Sequence, residues 1–244
     1  MAVRKIIFEK KEFSISYDIL NPNAKNSIVF LHGWGAKKEI MQMAFKDRLK
    51  DFRHIYIDLM GFGKSSNTHV LDTKTYSEVI ESFLNELSIK KEIIVGHSFG
   101  GKIATLLEPK LLVLLSSAGI LEPKPLSVKL KIASFKFLKR FGFEKFKKFF
   151  VASDGADLTP SMYEVFKIVV NEDFRDIFTN SKSESLVFWG KDDSATSLKS
   201  GELIASLIKN SKFYPLEGEH YFFLEHSEFI SKEIGERWQD LKHT

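Results

Sequence analysis

A serine between glycines is the strongest chemical signal in this chain of 244 residues. Residues 96–100 read GHSFG and lie between an apolar, strand-like run and a helical pattern. The pentapeptide alone would favour an ordinary glycine turn, but in this context G-x-S-x-G is typical of a sharp strand-to-helix turn that exposes its serine. The positive end of the helix would favour the negative charge that develops in acyl transfer. Ser98 is therefore the predicted nucleophile.

A serine hydroxyl needs a base to remove its proton, and the base needs a group that holds its tautomer. Among the seven histidines, His220 follows the last predicted strand, at the sheet edge where sites form in open α/β folds. His226 is the second choice, because it belongs to the first turn of the predicted terminal helix. We predict His220 as the base, and we expect His32 and His97 to hold the local shape through hydrogen bonds.

Two adjacent carboxylates could orient the imidazole of the base. Asp192 and Asp193 close the strand that contains Trp189, at the same predicted edge as His220. Successive residues point in different directions, so one of the two carboxylates can reach the imidazole. The other is expected to be a turn residue or a helix cap.

Short apolar runs alternate with helical patterns along the first half of the chain, which predicts a mostly parallel sheet with helices between the strands. The first two strands are expected to form an antiparallel pair with a turn at 10–12. After the sixth strand the alternation stops, and it resumes near residue 185. We therefore predict a core formed by residues 1–118 and 185–244, with a helical insertion at 119–184. The predicted strands cover 3–9, 13–19, 27–31, 54–57, 92–95, 111–115, 185–189 and 212–215, and the clearest helices cover 39–50, 75–87, 197–208 and 227–241.

Composition excludes several classes of function. The chain has no cysteine, which removes disulfides, thiolate zinc sites and cysteine nucleophiles. A formal charge of +4 does not call for a nucleic-acid partner. The N-terminus has no signal-peptide pattern, and the longest apolar stretches are far shorter than the roughly 20 residues of a spanning helix. We expect a soluble, cytoplasmic protein.

Taken together, these motifs resemble the α/β-hydrolase superfamily over nearly the full chain. The shared pieces are HGWG at 32–35, DLMGFGKSS at 58–66, GHSFGG at 96–101, WGKDD at 189–193 and GEH at 218–220. The order Ser98, Asp193, His220 is the order of nucleophile, acid and histidine in that superfamily. Its W-G-x-x-D pattern selects Asp193 rather than Asp192. One departure is Ser197, where the family often has proline, so the acid loop is expected to differ in shape.

The resemblance implies an eight-stranded, mostly parallel sheet and a helical cap at 119–184, over the site. It implies that the backbone amides of Trp34 and Phe99 form the oxyanion hole, and that the Trp34 side chain walls the acyl pocket. Phe135 is expected to line the substrate site, and Arg140 or Arg175 could bind a substrate carboxylate. The mechanism requires no metal, nucleotide or other cofactor.

The predicted cap carries an unusual charge. Residues 121–150 hold nine basic and two acidic side chains, a local +7. A solvated basic helix face is the simpler interpretation. The alternative is an anionic partner such as an acyl carrier protein or a membrane surface.

Three functions remain open on the sequence. The first is a serine hydrolase that cleaves a carboxylic ester with a small or medium acyl group, since HGWG and DLxGFG resemble ester hydrolases related to the biotin-pathway carboxylesterase. The second is a carbon–carbon bond hydrolase of the meta-cleavage-product type, acting on a dienoate. Those enzymes usually carry Gly-Pro-Gly after the His-Gly pair and Asn before the serine, whereas this chain has Trp34 and His97. The third is a non-catalytic binding protein on the same fold, which the complete set of motifs disfavours.

Overall fold

The computed structural model describes residues 1–122 and 159–243, and its eight strands form one sheet in the order β1-β2-β4-β3-β5-β6-β7-β8. β1 pairs antiparallel with β2 and β2 antiparallel with β4, while every other neighbouring pair is parallel. The predicted mostly parallel sheet is thereby confirmed. The strands are β1 (Ala2–Phe8), β2 (Lys11–Leu20), β3 (Asn26–Leu31), β4 (Phe52–Ile57), β5 (Ile93–His97), β6 (Leu111–Leu115), β7 (Glu184–Gly190) and β8 (Ser211–Leu216).

Helices cover both faces of the sheet. One face packs against α2, α3 and α6, and the other packs against α1 and α7. Parallel strands need this double cover because their connections cross over the sheet. The helices of the described ranges are α1 (Lys38–Phe45), α2 (Thr73–Glu86), α3 (Phe99–Leu106), α4 (Pro160–Val169), α5 (Arg175–Asn180), α6 (Leu198–Leu207) and α7 (Ser227–His243).

The central strands are apolar because both of their faces are buried. All five residues of β6 are buried, and in β3 alternate residues serve opposite faces. Ile28 and Phe30 pack towards α1 and α7, whereas Val29 and Leu31 pack towards α2 and α3. Full burial of each such side chain stabilises the fold by about 1.5–3 kcal/mol, so the sheet is a rigid base for the loops at its edge.

Most predicted boundaries lie within two residues of those in the structure, and two of the differences have a clear physical cause. The first hairpin turns at Glu9 and Lys10 rather than at 10–12, because both residues have positive φ and Phe8 pairs with Lys11, as in the two-residue turns that match strand twist. Helix α1 ends at Phe45 rather than near residue 50. Leu49 has φ +43° in the turn that follows, and β4 already begins at Phe52.

The segment between β6 and β7 includes residues 119–183 of the predicted insertion at 119–184. Its described part contains α4 and α5, and Phe135, Arg140 and all of the basic segment except 121–122 lie outside the described residues. Within 1–122 and 159–243, no helix has both the length and the apolar composition needed to cross a bilayer.

Candidate active site

Ser98 sits at a strained turn between β5 and α3. Its backbone has φ +50° and ψ −114°, a conformation that L-residues avoid and that persists only where the surroundings enforce it. Three hydrogen bonds hold this conformation. The Ser98 amide donates to Leu115 O at 3.1 Å, and the Ser98 carbonyl accepts from the amides of Gly101 and Ala118. The half-buried serine therefore lies at the apex of a turn that is fixed to the end of β6.

The glycines around Ser98 are required by close approach. A Cβ on Gly96 would lie 2.4 Å from the Gly100 carbonyl oxygen, and a Cβ on Gly100 would lie 2.5 Å from that of Leu31. Backbone atoms cannot move aside as a flexible side chain can. Positions 96 and 100 must therefore be glycine for α3 to pack this closely against β3 and β5.

His220 and Asp193 form a hydrogen-bonded pair at the carboxyl edge of the sheet. The His220 Nδ1–H donates to Asp193 Oδ2 at 2.8 Å, across 27 residues of sequence. Because the carboxylate accepts, the proton belongs on Nδ1 and the lone pair on Nε2. That tautomer is the one a general base needs.

Asp193 also accepts three hydrogen bonds from its own loop. Oδ1 accepts from the amides of Ala195 and Thr196 at 2.8 and 2.9 Å, and Oδ2 also accepts from the Thr196 hydroxyl at 2.9 Å. Burial raises the pKa of Asp193, but the hydrogen bonds from His220 and Thr196 outweigh it and lower the pKa to about 2. Asp192 is exposed, so Asp193 is the carboxylate that reaches the imidazole.

A cavity of about 1120 Å³ opens beside these groups. Ser98 and His220 both line it, together with Trp34 and Phe99. The Trp34 indole packs against three aromatic rings with centroids 4.8–5.6 Å away, those of Phe62, Phe99 and Phe166. The cavity therefore has an aromatic wall next to the serine, and Phe62 and Phe166 are wall residues that the sequence reasoning missed.

The predicted oxyanion donors lie on the two loops that meet at Ser98. Phe99 is the first residue of α3, so its amide has no partner within the helix. Trp34 follows the His32-Gly33 pair, whose shape is fixed by the His32 ring: Nδ1–H donates to Gly33 O at 2.7 Å, and Nε2 accepts from the Leu59 amide at 3.0 Å. Burial lowers the pKa of His32 to about 4, so its ring is neutral. His32 holds the local shape, as expected.

A second buried charge cluster supports the loop that follows β4. The Lys38 ammonium donates to Asp58 Oδ2 at 2.8 Å and to Ser16 Oγ at 3.1 Å. Asp58 also accepts from the amides of Lys38 and Lys64 at 2.9 and 3.1 Å. This loop carries Gly61, Phe62 and Gly63, which line the cavity.

Lys102 is a further residue that spacing did not reveal. Its ammonium is buried one helical turn after Ser98, where it donates to Val169 O at 2.7 Å and to Glu172 Oε2 at 2.6 Å. It also lies 4.3 Å from the centre of the Phe174 ring. A lysine within an otherwise apolar helical pattern was the only sign in the sequence that this residue is special. Its partners could not be predicted, because they lie about 70 residues further along the chain. The bond ties the end of α4 to α3.

Arg175 and Ser197 both have partners other than Ser98, His220 and Asp193. Arg175 pairs with Asp173 and donates to Leu121 O at 3.2 Å, and it is absent from the described cavity lining. Ser197 caps α6 by accepting from the Ser200 amide, and its hydroxyl donates to Glu122. Its φ of −64° lies within the range that a proline ring imposes, so the backbone keeps the angle expected for a proline at this position.

Comparison with known proteins decides the family. The family model of the alpha/beta hydrolase fold matches residues 26–153, more than half of the chain. The chain belongs to this family. The matched range includes the Gly33–Trp34 loop and the turn at Ser98, whereas Asp193 and His220 lie outside it.

Two solved hydrolases share the fold of the chain at low sequence identity. A thermophilic esterase from Thermogutta terrifontis superposes with a TM-score of 0.76 at 18% identity, covering 100% of both chains. The meta-cleavage product hydrolase CumD from Pseudomonas fluorescens IP01 superposes with a TM-score of 0.72 at 15% identity, covering 98% of both.

Curated relatives match over shorter stretches. An abhydrolase domain-containing protein of Caenorhabditis elegans, abhd-5.2, is 38% identical over 88 residues, which are 34% of this chain and 20% of the relative. A pimeloyl-[acyl-carrier protein] methyl ester esterase of Vibrio atlanticus is 36% identical over 78 residues, which are 32% of this chain and 29% of the relative. The chain thus matches less than a third of the length of either relative.

Proposed function

We propose that this alpha/beta hydrolase cleaves carboxylic esters with a small or medium acyl group through a Ser98-His220-Asp193 triad. His220 takes the Ser98 proton as the hydroxyl attacks the acyl carbon, and then gives that proton to the leaving alcohol. Water attacks the resulting acyl-enzyme with the same histidine as base, and the acid leaves. The amides of Phe99 and Trp34 would stabilise the oxyanion in both steps.

One observation carries this proposal. His220 is bonded to Asp193 through Nδ1, and His220 lines the same cavity as Ser98, the residue held at φ +50°. The hydrogen bond from Nδ1 leaves the Nε2 lone pair available to act as a base, and the strained turn presents the Ser98 hydroxyl to the same cavity. A binding protein without turnover would need neither feature.

The test is hydrolysis of p-nitrophenyl esters from acetate to laurate by the wild type and by Ser98→Ala. We expect turnover that is greatest for short or medium chains and a loss of roughly 10⁵-fold or more in kcat for Ser98→Ala, since removal of a triad nucleophile has costs of that order. A chromogenic dienoate in the same screen tests the carbon–carbon bond alternative. Preference for the dienoate, or full activity of Ser98→Ala, would overturn the proposal.

We also propose that residues 119–184 form a cap over this site. The chain leaves the core after β6 and returns before β7, and Phe166, Val169 and Val170 of the returning part line the cavity. Lys102 and Glu172 would hold this wall over the nucleophile. Under this proposal, substitutions at Phe166 change the preferred acyl length more than they change the rate for the shortest ester.

An ester carried on acyl carrier protein is a second candidate substrate. The name of the Vibrio relative favours it, and so does the +7 charge of residues 121–150. Turnover of an acyl-carrier methyl ester should then exceed that of the free methyl ester and fall as salt rises. Equal and salt-insensitive rates would exclude the carrier protein as a partner.

A further inference from the structure

His97 is a buried histidine that the triad does not use. It precedes the nucleophile, and its fully buried ring lies directly against the ring of His220, with centroids 4.6 Å apart. Its Nε2–H donates to the main-chain carbonyl of His220 at 3.0 Å. The same ring packs on Tyr221 and Phe223, at 5.1 and 4.8 Å. One side chain therefore contacts three residues of the loop that carries the base, His220, Tyr221 and Phe223.

The Nδ1 edge of the His97 ring faces the Gly33–Trp34 loop. A Cβ on Gly33 would lie 2.9 Å from His97 Nδ1 and 3.1 Å from the Ser98 Cβ. The Gly33–Trp34 loop thus packs on the His97 ring with no room for a side chain. Within the described part of the chain, Nδ1 is buried and has no hydrogen-bond partner, which costs about 1–3 kcal/mol for a buried polar group.

We propose that His97 is a positioning residue that sets the spacing between the His220 loop and the Gly33–Trp34 loop. This inference rests on the proposed function, because it concerns the base and the oxyanion donor of the same reaction. Asp193 orients the imidazole of His220 through Nδ1, whereas His97 holds the main chain from which that imidazole projects. The two anchors are separate, and neither occupies Nε2.

The chemistry of the ring fits this role. Burial lowers the pKa of His97 to about 3, so the ring is neutral and keeps a single proton. Because Nε2 donates to a carbonyl, that proton is on Nε2. A neutral ring beside His220 does not repel the imidazolium that forms during catalysis, and a misplacement of about 1 Å in such a site can cost about 10²-fold in rate.

Two variants separate the hydrogen bond from the ring volume. His97→Phe keeps an aromatic ring but removes the donor, whereas His97→Gln can place an N–H near the position of Nε2. We expect His97→Phe to lower kcat by roughly 10- to 100-fold with KM within about threefold of the wild type, and His97→Gln to retain most of kcat. The substrate is the best p-nitrophenyl ester of the series.

His226 provides the matched control. It also uses Nε2 to donate to a carbonyl of the histidine loop, Glu217 O at 2.9 Å, but it is half-buried rather than fully buried and lies outside the described cavity lining. His226→Phe should leave kcat and KM unchanged. If His97→Phe does not fold, His97→Asn replaces it, because the shorter asparagine amide cannot reach the His220 carbonyl. The kcat of His97→Asn should then be lower than that of His97→Gln.

The outcomes are distinct. A kcat for His97→Phe or His97→Asn that equals or exceeds that of His97→Gln, or a loss matched by the unfolded fraction in circular dichroism, overturns the positioning role. Full activity of Ser98→Ala overturns the proposed function itself, whatever the His97 variants do.

Discussion

Asp58 and Asp193 make an instructive pair, because both are buried aspartates that follow strands at the same edge of the sheet. Asp58 comes directly after β4 and Asp193 comes three residues after β7. Each accepts two backbone amides and one bond from a basic side chain. In both, hydrogen bonds outweigh burial and lower the pKa.

The two aspartates differ in their basic partner. Asp58 binds the ammonium of Lys38, whose side chain is fully buried, so the charge pair is closed and holds a loop in place. Asp193 binds His220, whose ring is partly exposed and lines the cavity. The partner, rather than the carboxylate, therefore decides whether a buried aspartate supports a loop or orients a base.

Asp193→Asn should remove the carboxylate that orients the imidazole of His220. The asparagine amide would donate to Nδ1 and impose the wrong tautomer on His220, so we expect kcat to fall by roughly 10³- to 10⁴-fold. Steady-state hydrolysis of the best p-nitrophenyl ester measures the change. Activity within tenfold of the wild type would contradict the role given to Asp193.

Asp58→Asn should lower stability and leave kcat nearly unchanged, the reverse of Asp193→Asn. Lys38 loses its shortest ion pair and keeps the longer pairs with Asp18 at 3.8 Å and Glu39 at 3.6 Å. Removing one partner of a buried ion pair typically costs about 3–5 kcal/mol of unfolding free energy, which is the upper bound that we expect here. Denaturant unfolding measures that loss, and the kcat of the molecules that remain folded should stay close to the wild type. A large fall in kcat with normal stability would mean that the two aspartates do not divide their roles in this way.

As pH falls, the buried histidines should lower the stability of the fold before protonation of either carboxylate does. Burial lowers the pKa of His32 to about 4 and that of His97 to about 3, from an ordinary 6.5. The unfolded chain therefore binds these protons first, and each histidine removes up to about 1.4 kcal/mol of unfolding free energy per pH unit as pH falls below 6.5.

The pH dependence can be tested with one variant. His97→Gln should flatten the decline between pH 6.5 and 4, measured by denaturant unfolding at each pH. The contribution of Asp193 is present above pH 4 and is lost only as pH falls towards 2, so the aspartates do not explain a loss in that range. An unchanged slope in the variant would contradict the neutral, buried state of His97.

Asp192→Asn should have the smallest effect. Asp192 is exposed beside Asp193, and surface substitutions usually change stability by less than about 0.5 kcal/mol. We expect kcat within about twofold of the wild type in the same ester assay. A loss comparable to that of Asp193→Asn would show that the wrong carboxylate has been assigned to the imidazole.

Short sequence motifs were enough to predict the parts of the site that are formed by neighbouring residues. The turn at Ser98 and the position of His220 follow from glycine spacing and strand order. Neighbouring residues alone left Asp192 and Asp193 equivalent, and the W-G-x-x-D resemblance favoured Asp193, the carboxylate that is buried and bonded to His220. The mostly parallel sheet followed from alternation of apolar runs and helical patterns.

Tertiary contacts explain what the sequence could not reveal. Helix α1 continues as a pattern past Phe45, but the turn at Leu49 is needed to bring the chain into β4 beside β3. The bond from Lys102 to Glu172 joins residues 70 positions apart. The contact between His97 and the His220 carbonyl spans 123 positions. No spacing rule reaches that far.

Covalent labelling tests the central claim most directly, because it asks whether the histidine activates this serine. The protein would be treated with a fluorophosphonate, digested and mapped by mass spectrometry, with Ser98→Ala, His220→Ala and Asp58→Asn treated in parallel. We predict phosphonylation at Ser98, no adduct in Ser98→Ala, much slower labelling in His220→Ala, and a wild-type rate for folded Asp58→Asn. An adduct on another residue, or labelling of His220→Ala at the wild-type rate, would contradict the account.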